Sequence, residues 1–252
     1  MRARGTSPSR SSSGGSHLRP FDPNRESLLL VARALGDLSE EVVFVGGAVV
    51  GLILTDPAAE RPRSTDDIDA IVEVRSYIDF QQGLRARLIE RGFRESSEEG
   101  DPTCRWKLGR VKIDVMPTRD IDQGPTNRWY ASAFERATRV ELDAGLTIRV
   151  IDAPHFLATK LEAFRSPARA HHDDVFASHD LEDVIVVIDG RAEVREELPR
   201  APSELRAFVV GELERLLRDP HFAQALPGIL PEEDRAPLLR RRLQALVEAA
   251  RT

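Results

Sequence analysis

The sequence has few of the residues that hold together small secreted domains or membrane proteins. Among its 252 residues there is one cysteine, which excludes an intrachain disulfide and favours a reducing, cytoplasmic compartment. No apolar run approaches the roughly 20 residues needed to span a bilayer, so we expect no membrane association. The formal net charge of −6 argues against broad, nonspecific nucleic-acid binding, while leaving room for a local basic surface that contacts one RNA.

The composition that is present, 41% hydrophobic and 31% charged, is typical of a globular chain. Residues 1–22 are basic and rich in Ser and Gly but lack an apolar segment, which predicts a disordered tail rather than a secretory signal. Strand-like and helical patterns alternate over residues 23–152, and helical patterns follow over residues 153–252. We therefore predict an α+β fold, with a mixed-sheet core followed by a C-terminal helical region.

Periodicity and turn residues also predict the individual elements. Helices are expected at Arg25–Leu38, Ala48–Leu54, Tyr77–Glu90, Pro154–Phe164, Leu181–Asp189, Pro202–Leu217 and Pro237–Ala250. Strands are expected at Glu41–Val45, Ile68–Val74, Cys104–Leu108, Val111–Met116 and Leu146–Ile151. The Gly109-Arg110 pair lies between two of these strands and predicts a hairpin turn.

Two acidic residues at the start of a predicted strand form the first chemical signal. Asp67 and Asp69 are two positions apart, so their carboxylates project from the same face of the strand. Mg²⁺ prefers oxygen ligands of this kind, together with water and substrate phosphates. Because acidic strand ends are common, the pair alone is a weak indication of a metal site.

A third acid, Asp114, strengthens that indication because it lies in an otherwise apolar strand. A buried carboxylate without a partner is costly, and a metal ion shared with Asp67 and Asp69 would supply the partner. The alternative is a salt bridge to Lys107 or Lys112.

The Gly46-Gly47 pair ends a short β-branched run before a helical pattern. Glycines at such a position let backbone N–H groups approach a phosphate closely. The chain has neither a GxGxxG dinucleotide fingerprint nor a GxxxxGK[ST] phosphate loop. A lone glycine pair is more often an ordinary turn, and its interest here is that it precedes the acidic pair.

Three segments together resemble a known superfamily. The order VFVGGAVVGLIL, RSTDDIDAIV and VKIDVMP is similar to that of DNA polymerase β-type nucleotidyltransferases, which have a glycine turn, a DxD strand and a later acidic strand. Downstream, FLATKLEAF and SHDLEDVIVVIDGR resemble the later motifs of the AbiEii/AbiGii-type nucleotidyltransferase toxin family, a helical lysine followed by DxxD. Lys160, Asp180 and Asp183 occupy the matching positions.

The resemblance implies a role for each matching residue. Gly46 and Gly47 would hold the nucleoside triphosphate, Asp67 and Asp69 would bind Mg²⁺ or Mn²⁺, and Asp114 would complete the site and help activate the attacking hydroxyl. Lys160 would contact phosphate, and Asp180 and Asp183 would position Lys160 or the base of the nucleotide. The chain departs from the family pattern twice: Ala48 stands where Ser is common, and His179 where Lys is common.

The function that follows is transfer of a nucleoside monophosphate from an NTP to an acceptor hydroxyl. The resemblance implies an RNA such as tRNA as the acceptor and a cognate antitoxin as a partner. The alternatives are a small-molecule acceptor such as an aminoglycoside, a protein side chain, or a catalytically silent nucleotide-binding module. We expect an active enzyme, because a silent module has no use for three unpaired carboxylates.

Other conspicuous residues have ordinary interpretations that we favour. Cys104 has no nearby histidine and is expected to be a structural thiol, and Trp106 and Trp129 are expected in the core. The His171-His172-Asp173-Asp174 run lacks metal-site spacing, and Arg240-Arg241-Arg242 is typical of a solvated helix face. Arg165 and Arg169 follow Lys160 closely and are the better candidates for contact with substrate phosphate.

Overall fold

A computed structural model describes residues 22–74, 76–120, 126–232 and 235–251. The predicted disordered tail, residues 1–22, therefore lies outside the described residues except for Asp22, which is buried. The described elements combine one mixed sheet with many helices, which confirms the predicted α+β class. No helix among the described residues is long and apolar enough to cross a bilayer.

The described residues form one sheet of seven strands in the order β3-β4-β5-β2-β1-β7-β6. Strands β1 and β2 pair antiparallel, as do β3 with β4, β4 with β5, and β6 with β7. Strand β2 runs parallel to β5, and β1 runs parallel to β7, which makes the sheet mixed. The strands are β1 (Val42–Val45), β2 (Asp67–Val72), β3 (Arg94–Glu95), β4 (Arg105–Leu108), β5 (Val111–Pro117), β6 (Thr138–Asp143) and β7 (Leu146–Val150).

Helices precede the sheet, connect its strands and make up most of the C-terminal part. They are α1 (Arg25–Leu35), α2 (Val50–Ile53), α3 (Tyr77–Asp79), α4 (Arg85–Glu90), α5 (Tyr130–Glu135), α6 (Ala153–Arg165), α7 (His179–Gly190), α8 (Val194–Glu197), α9 (Ser203–Arg218), α10 (Pro220–Ile229) and α11 (Arg235–Arg251). A π-helical stretch, Phe80–Leu84, joins α3 to α4. The single helix predicted for Tyr77–Glu90 is therefore interrupted by a widened turn.

The C-terminal helices pack on one another and on the rest of the core. Helix α6 packs against α7 and α9, and α11 packs against α7, α8 and α9. Asp189, at the buried end of α7, accepts hydrogen bonds from Arg235 and Arg242 of α11. A buried carboxylate held by two guanidinium groups ties these helices together, so Arg242 of the arginine run is a structural residue.

The structure contains elements that the sequence did not predict, namely β3, β6, α5, α8 and α10, and it shortens one predicted helix. The expected helix Ala48–Leu54 is a 3-10 turn, Gly47–Val49, followed by the short α2, since β-branched and glycine residues favour helices weakly. Helix α10 was missed because Pro220 and Pro227 resemble loop residues, although Pro220 occupies the first turn, where proline is tolerated.

Candidate active site

The predicted site residues gather where β1, β2 and β5 lie side by side. In the sheet register Val45 of β1 faces Asp69 of β2, and Asp69 lies beside Asp114 of β5. The parallel pairing of β2 with β5 therefore brings acids 45 positions apart in sequence to adjacent strands. Ile68 and Ala70 are buried while Asp67 and Asp69 are partly exposed, so the two acids share a face as predicted.

The glycine turn after β1 lies directly against this acidic face. Gly46 has a positive φ of 72°, and a Cβ atom there would overlap the carboxylate of Asp69. A Cβ atom on Gly47 would lie 2.8 Å from Cγ2 of Thr65 and 2.9 Å from Nη2 of Arg63. Gly46 requires glycine because the turn and the acidic strand approach so closely, whereas a Cβ atom on Gly47 would crowd two side chains that precede the strand.

We expect Gly46→Ala to destabilise the protein by at least about 2 kcal/mol more than Gly145→Ala does. Both glycines have positive φ, but a Cβ atom on Gly145 would meet nothing within 4 Å. The control substitution therefore carries only the backbone cost, on the order of 1 kcal/mol. Urea unfolding of both variants measures the difference, and equal losses would contradict the close approach of Gly46 to Asp69.

Arg105 is the residue of the site that the sequence prediction missed. Its Nε lies 2.8 Å from Oδ1 of Asp114, and its Nη2 lies 2.7 Å from Oδ2 of Asp114 and 2.7 Å from Oδ2 of Asp67. Its Nη1 donates to Asp101 at 3.0 Å. Hydrogen bonding to Asp114, which outweighs the cost of burial, raises the pKa of the guanidinium and keeps it charged.

This guanidinium corrects two expectations about the acids. Asp114 is not paired with Lys107 or Lys112, and Asp67 and Asp114 are not unpaired carboxylates, because Arg105 forms an ion pair with each of them. The predicted hairpin contained the signal, since counting back from Gly109-Arg110 places Arg105 directly opposite Asp114. Cross-strand pairs of opposite charge are a standard feature of such hairpins.

Asp69 differs from the other two acids. Among the residues that the structure describes, none donates a hydrogen bond or forms an ion pair to its carboxylate. Burial, followed by the charge of Asp67 and opposed by Lys160, raises the pKa of Asp69 to about 7, with Asp114 adding to the rise. An ionised carboxylate held in this way favours the arrival of a cation.

The donors that remain suit one hard cation. Within the described parts of the chain, no three acidic, histidine or cysteine side chains are arranged to hold a metal ion by themselves. Arg105 lies between two members of the predicted three-carboxylate site, Asp67 and Asp114. Mg²⁺ in proteins is commonly held by one or two carboxylates together with water and phosphate oxygens, a need that Asp67 and Asp69 satisfy.

Lys160 of α6 lies within a second, mixed-charge cluster. Its ammonium is 2.9 Å from Asp180 and 2.7 Å from Asp183, so the predicted approach of the DxxD acids to Lys160 is present. Arg63 lies 3.2 Å from Asp183, and Arg169 lies 3.6 Å from Asp180. Three basic side chains share two carboxylates, which leaves the cluster with one surplus positive charge.

Electrostatics links this cluster to the acids. Burial opposes the charge on Lys160, but Asp183 and Asp180 outweigh it and raise its pKa, so the ammonium stays charged. Burial likewise opposes the charge on Asp180, but Lys160 and Arg169 lower its pKa overall. Lys160 and Arg169 also favour the charged form of Asp69 and so lower its pKa, against the effect of burial.

Helix α5 brings Tyr130 to the same region. Burial raises the pKa of its phenol, and the charge of Asp69 adds to the rise, so Tyr130 remains a neutral hydroxyl. His155 of α6 fixes α5 in place: its Nδ1 lies 2.6 Å from Asp152, and its Nε2 lies 3.1 Å from Oγ of Ser132. This Asp-His-Ser chain, in which His155 is fully buried, joins α5 to the start of α6, a structural function.

Several other candidates lie away from the acids or are held in structural roles. Cys104 is buried, and burial raises its pKa to about 12, so the thiol is not a nucleophile. Trp106 and Trp129 are core residues, as predicted. Arg165 pairs with Asp173 and Glu212, unlike Arg169. The run His171, His172, Asp173 and Asp174 is a turn region whose members are exposed or half-buried.

Comparison with known proteins gives likeness of fold only. No protein-family model and no curated protein matches the sequence, so membership of the AbiEii/AbiGii-type family stays a prediction. Among solved structures, one similar chain is an antigenic nucleotidyltransferase-like protein from Paracoccidioides brasiliensis, at TM-score 0.46 and 19% identity over 89% of this chain and 94% of that one.

Two further solved structures are similar at the same low level. ANT(2″)-Ia, in complex with adenylyl-2″-tobramycin, matches at TM-score 0.42 and 14% identity over 76% of this chain and 97% of that one. A nucleotidyltransferase candidate from H. pylori matches at TM-score 0.45 and 13% identity over 93% of this chain and 95% of that one.

Proposed function

We propose that this chain is a metal-dependent nucleotidyltransferase that moves a nucleoside monophosphate from an NTP to an acceptor hydroxyl. The observation that carries the proposal is the position of Asp69, an unpartnered carboxylate with a raised pKa, between acidic and basic groups. Asp67 lies beside it on the same strand face, and the positive charges of Lys160 and Arg169 favour its ionised form. A divalent cation with a bound triphosphate satisfies both sets of charges.

Each side chain then has a task that its surroundings permit. Asp67 and Asp69 would hold Mg²⁺ or Mn²⁺, which when bound neutralises charge on the phosphate oxygens. Lys160 and Arg169 would bind the triphosphate, and the surplus positive charge of their cluster suits an anion. The Gly46-Gly47 turn would lie beneath the phosphates, and Asp180 and Asp183 would keep Lys160 in position.

The contacts of Asp114 suggest a role other than activating the attacking hydroxyl, which is the role that the family resemblance implies. Both of its oxygens accept hydrogen bonds from Arg105, so it holds that guanidinium in place. We assign Asp114 to positioning Arg105 rather than to deprotonating the acceptor. Positioning and charge neutralisation are the main contributions of a protein to phosphoryl transfer, and the site is built for both.

The proposal is tested by supplying the full chain with each of the four NTPs, labelled in turn at the α- and the γ-phosphate. Total RNA, a mixture of aminoglycosides and a protein mixture serve as separate acceptors, because the contacts do not select among the three classes. We expect the α-label to reach one acceptor with release of pyrophosphate, and EDTA to abolish the transfer. Absence of α-label transfer with Mg²⁺ and with Mn²⁺ would contradict the proposal, and γ-label transfer would indicate a kinase.

The two arginines that follow Lys160 provide a matched test of phosphate recognition. We expect Arg169→Ala to raise the KM for the NTP by roughly tenfold or more, because a charge-assisted hydrogen bond to phosphate contributes on the order of 1.5–3 kcal/mol. Arg165→Ala should leave KM unchanged, since Arg165 pairs with Asp173 and Glu212 instead. Equal effects of the two substitutions on KM would contradict a role for Arg169 in binding the NTP.

A further inference from the structure

Arg105 occupies the point at which two of the predicted metal ligands meet. One nitrogen, Nη2, lies 2.7 Å from Oδ2 of Asp67 and 2.7 Å from Oδ2 of Asp114. We propose that Arg105 is the resident cation of the acidic cluster, so that the cluster binds one divalent ion, at Asp67 and Asp69, instead of two. This inference rests on the proposed function, because it concerns the same acids.

The guanidinium is fixed from two sides. Asp114 accepts from Nε and Nη2 in a bidentate arrangement, while Asp101 accepts from Nη1 at 3.0 Å. Asp101 is itself held by the hydroxyl of Ser96. The side chain of Arg105 is only 14% exposed. A buried guanidinium whose nitrogens are bound to three carboxylates loses much more on rotating away than an exposed one does.

A bridging metal ion and this guanidinium exclude each other. An ion shared by Asp67 and Asp114 would need both oxygens at about 2.0–2.1 Å for Mg²⁺, which is the region that Nη2 occupies. A dication placed next to it would also be repelled by the guanidinium at short range in a partly buried site. The two-ion arrangement common in phosphoryl-transfer enzymes, with ions about 3.5–4 Å apart, is therefore not available here.

One position for a divalent ion remains. The carboxylate of Asp69 has no partner among the described residues, and Asp67 is partly exposed on the same face of β2. Arg105 thus acts as a positioning residue: it holds Asp67 and Asp114 together and supplies one permanent positive charge where a second ion would bring two. Arginine suits this task because its guanidinium stays charged at every working pH.

Counting bound Mn²⁺ tests the inference without depending on catalysis. The full chain, free of nucleotide, is titrated with Mn²⁺ while free Mn²⁺ is followed by electron paramagnetic resonance. Only ions that are lost when Asp67→Asn is added to the same chain are counted, because Asp67 is common to both positions. This comparison removes adventitious surface binding. We expect one Mn²⁺ per wild-type chain and two per Arg105→Gln chain, with the first ion bound about tenfold more tightly in the variant because a nearby positive charge is gone.

The control is Lys107→Gln, which removes a positive charge two positions along the same strand. Lys107 lies 3.8 Å from Asp101 and forms its close ion pair with Glu98, so it does not lie between Asp67 and Asp114. This variant should bind one Mn²⁺, as should Arg105→Lys, which keeps the charge. If Arg105→Gln does not fold, the numbers of Mn²⁺ ions bound by the wild type and by Arg105→Lys still test the inference, because two ions in either chain would contradict it.

Two Mn²⁺ ions in the wild-type chain, none, or a single ion in folded Arg105→Gln would overturn the inference. Transfer assays on the same preparations separate this result from the proposed function. If the wild-type chain transfers nucleotide and binds two ions, the proposed function is supported and the role of Arg105 is contradicted. If the wild-type chain binds one ion and Arg105→Gln binds two, but neither transfers nucleotide, the role of Arg105 is supported and the proposed function is contradicted.

Discussion

We expect Asp69→Asn to lower nucleotide transfer by roughly a thousandfold or more while making the metal-free protein more stable above neutral pH. The amide keeps the shape of the side chain but removes the charge that binds a divalent cation. Asp69 has no hydrogen bond or ion pair among the described residues that the substitution could break. Activity and stability therefore change in opposite directions, as expected for a functional residue and not for a structural one.

The direction of the stability change follows from the pKa of Asp69. Burial and the charge of Asp67 raise the pKa in the folded chain to about 7, above the ordinary value of 3.8. A group with a raised pKa contributes stability that is fully present below its unfolded pKa and is lost as the pH rises through the folded pKa. The metal-free wild type should lose stability between pH 4 and 7, and the asparagine variant should be spared this loss.

Thermal unfolding at pH 5 and pH 8 measures this difference. With EDTA at pH 8, we expect the Tm of Asp69→Asn to exceed that of the wild type by roughly 5 °C or more, and at pH 5 by much less. Asp143→Asn is the control, because Asp143 lies on the far strand β6 and pairs with Arg33. A large fall in the Tm of Asp69→Asn would show that Asp69 supports the fold, and undiminished transfer would remove it from the mechanism.

Local patterns were enough to place the acidic strands. The alternation over Asp67–Val72 is a consequence of one buried strand face, so it predicted that Asp67 and Asp69 point the same way. The glycine pair was recognised as a turn, but its close approach to Asp69 depends on the pairing of β1 with β2. That pairing joins residues 24 to 30 positions apart, from Val45 with Asp69 to Val42 with Val72. The residues of a turn do not predict a pairing over such a distance.

Partners of charged residues were harder to predict than their positions. The contact of Lys160 with Asp180 and Asp183 came from family resemblance, since a turn-rich segment separates α6 from α7 and no local spacing relates them. Arg105 could have been found from the hairpin register, but the cost of burying Asp114 was assigned to a metal ion instead. A buried acid predicts that a cation is present, whereas only geometry says whether it is a side chain or an ion.

The second large effect concerns the buried ammonium of Lys160. We expect Lys160→Met to destabilise the folded chain by about 3–5 kcal/mol near pH 7, because it leaves buried carboxylates without their main counter-charge. Asp183 is almost fully buried and would keep Arg63 as its one ion-pair partner among the described residues, while Asp180 keeps the exposed Arg169 at 3.6 Å. Methionine has a similar length, so the loss reflects charge more than packing.

The pH dependence of this loss identifies its electrostatic origin. Lys160 lowers the pKa of Asp180, so this pair contributes stability that is present above the unfolded pKa of an aspartate and is lost as the pH falls through the folded pKa. The raised pKa of Lys160 keeps the contribution in place up to the ordinary pKa of a lysine, about 10.5. The free energy of unfolding that Lys160→Met loses relative to the wild type should thus be large from about pH 5 to 10 and should shrink below about pH 4.

Urea unfolding across this pH range measures the deficit, with two further variants for comparison. The double variant Lys160→Met/Asp183→Asn should be more stable than Lys160→Met alone, because the buried carboxylate no longer lacks its charge partner. Arg33→Met removes the exposed ion pair with Asp143 and should cost less than about 1 kcal/mol. The stability lost in Lys160→Met could instead be independent of pH and unchanged by Asp183→Asn. That result would mean that Lys160 stabilises the fold through its alkyl chain, and it would contradict the proposal that Asp180 and Asp183 hold the ammonium in position for phosphate.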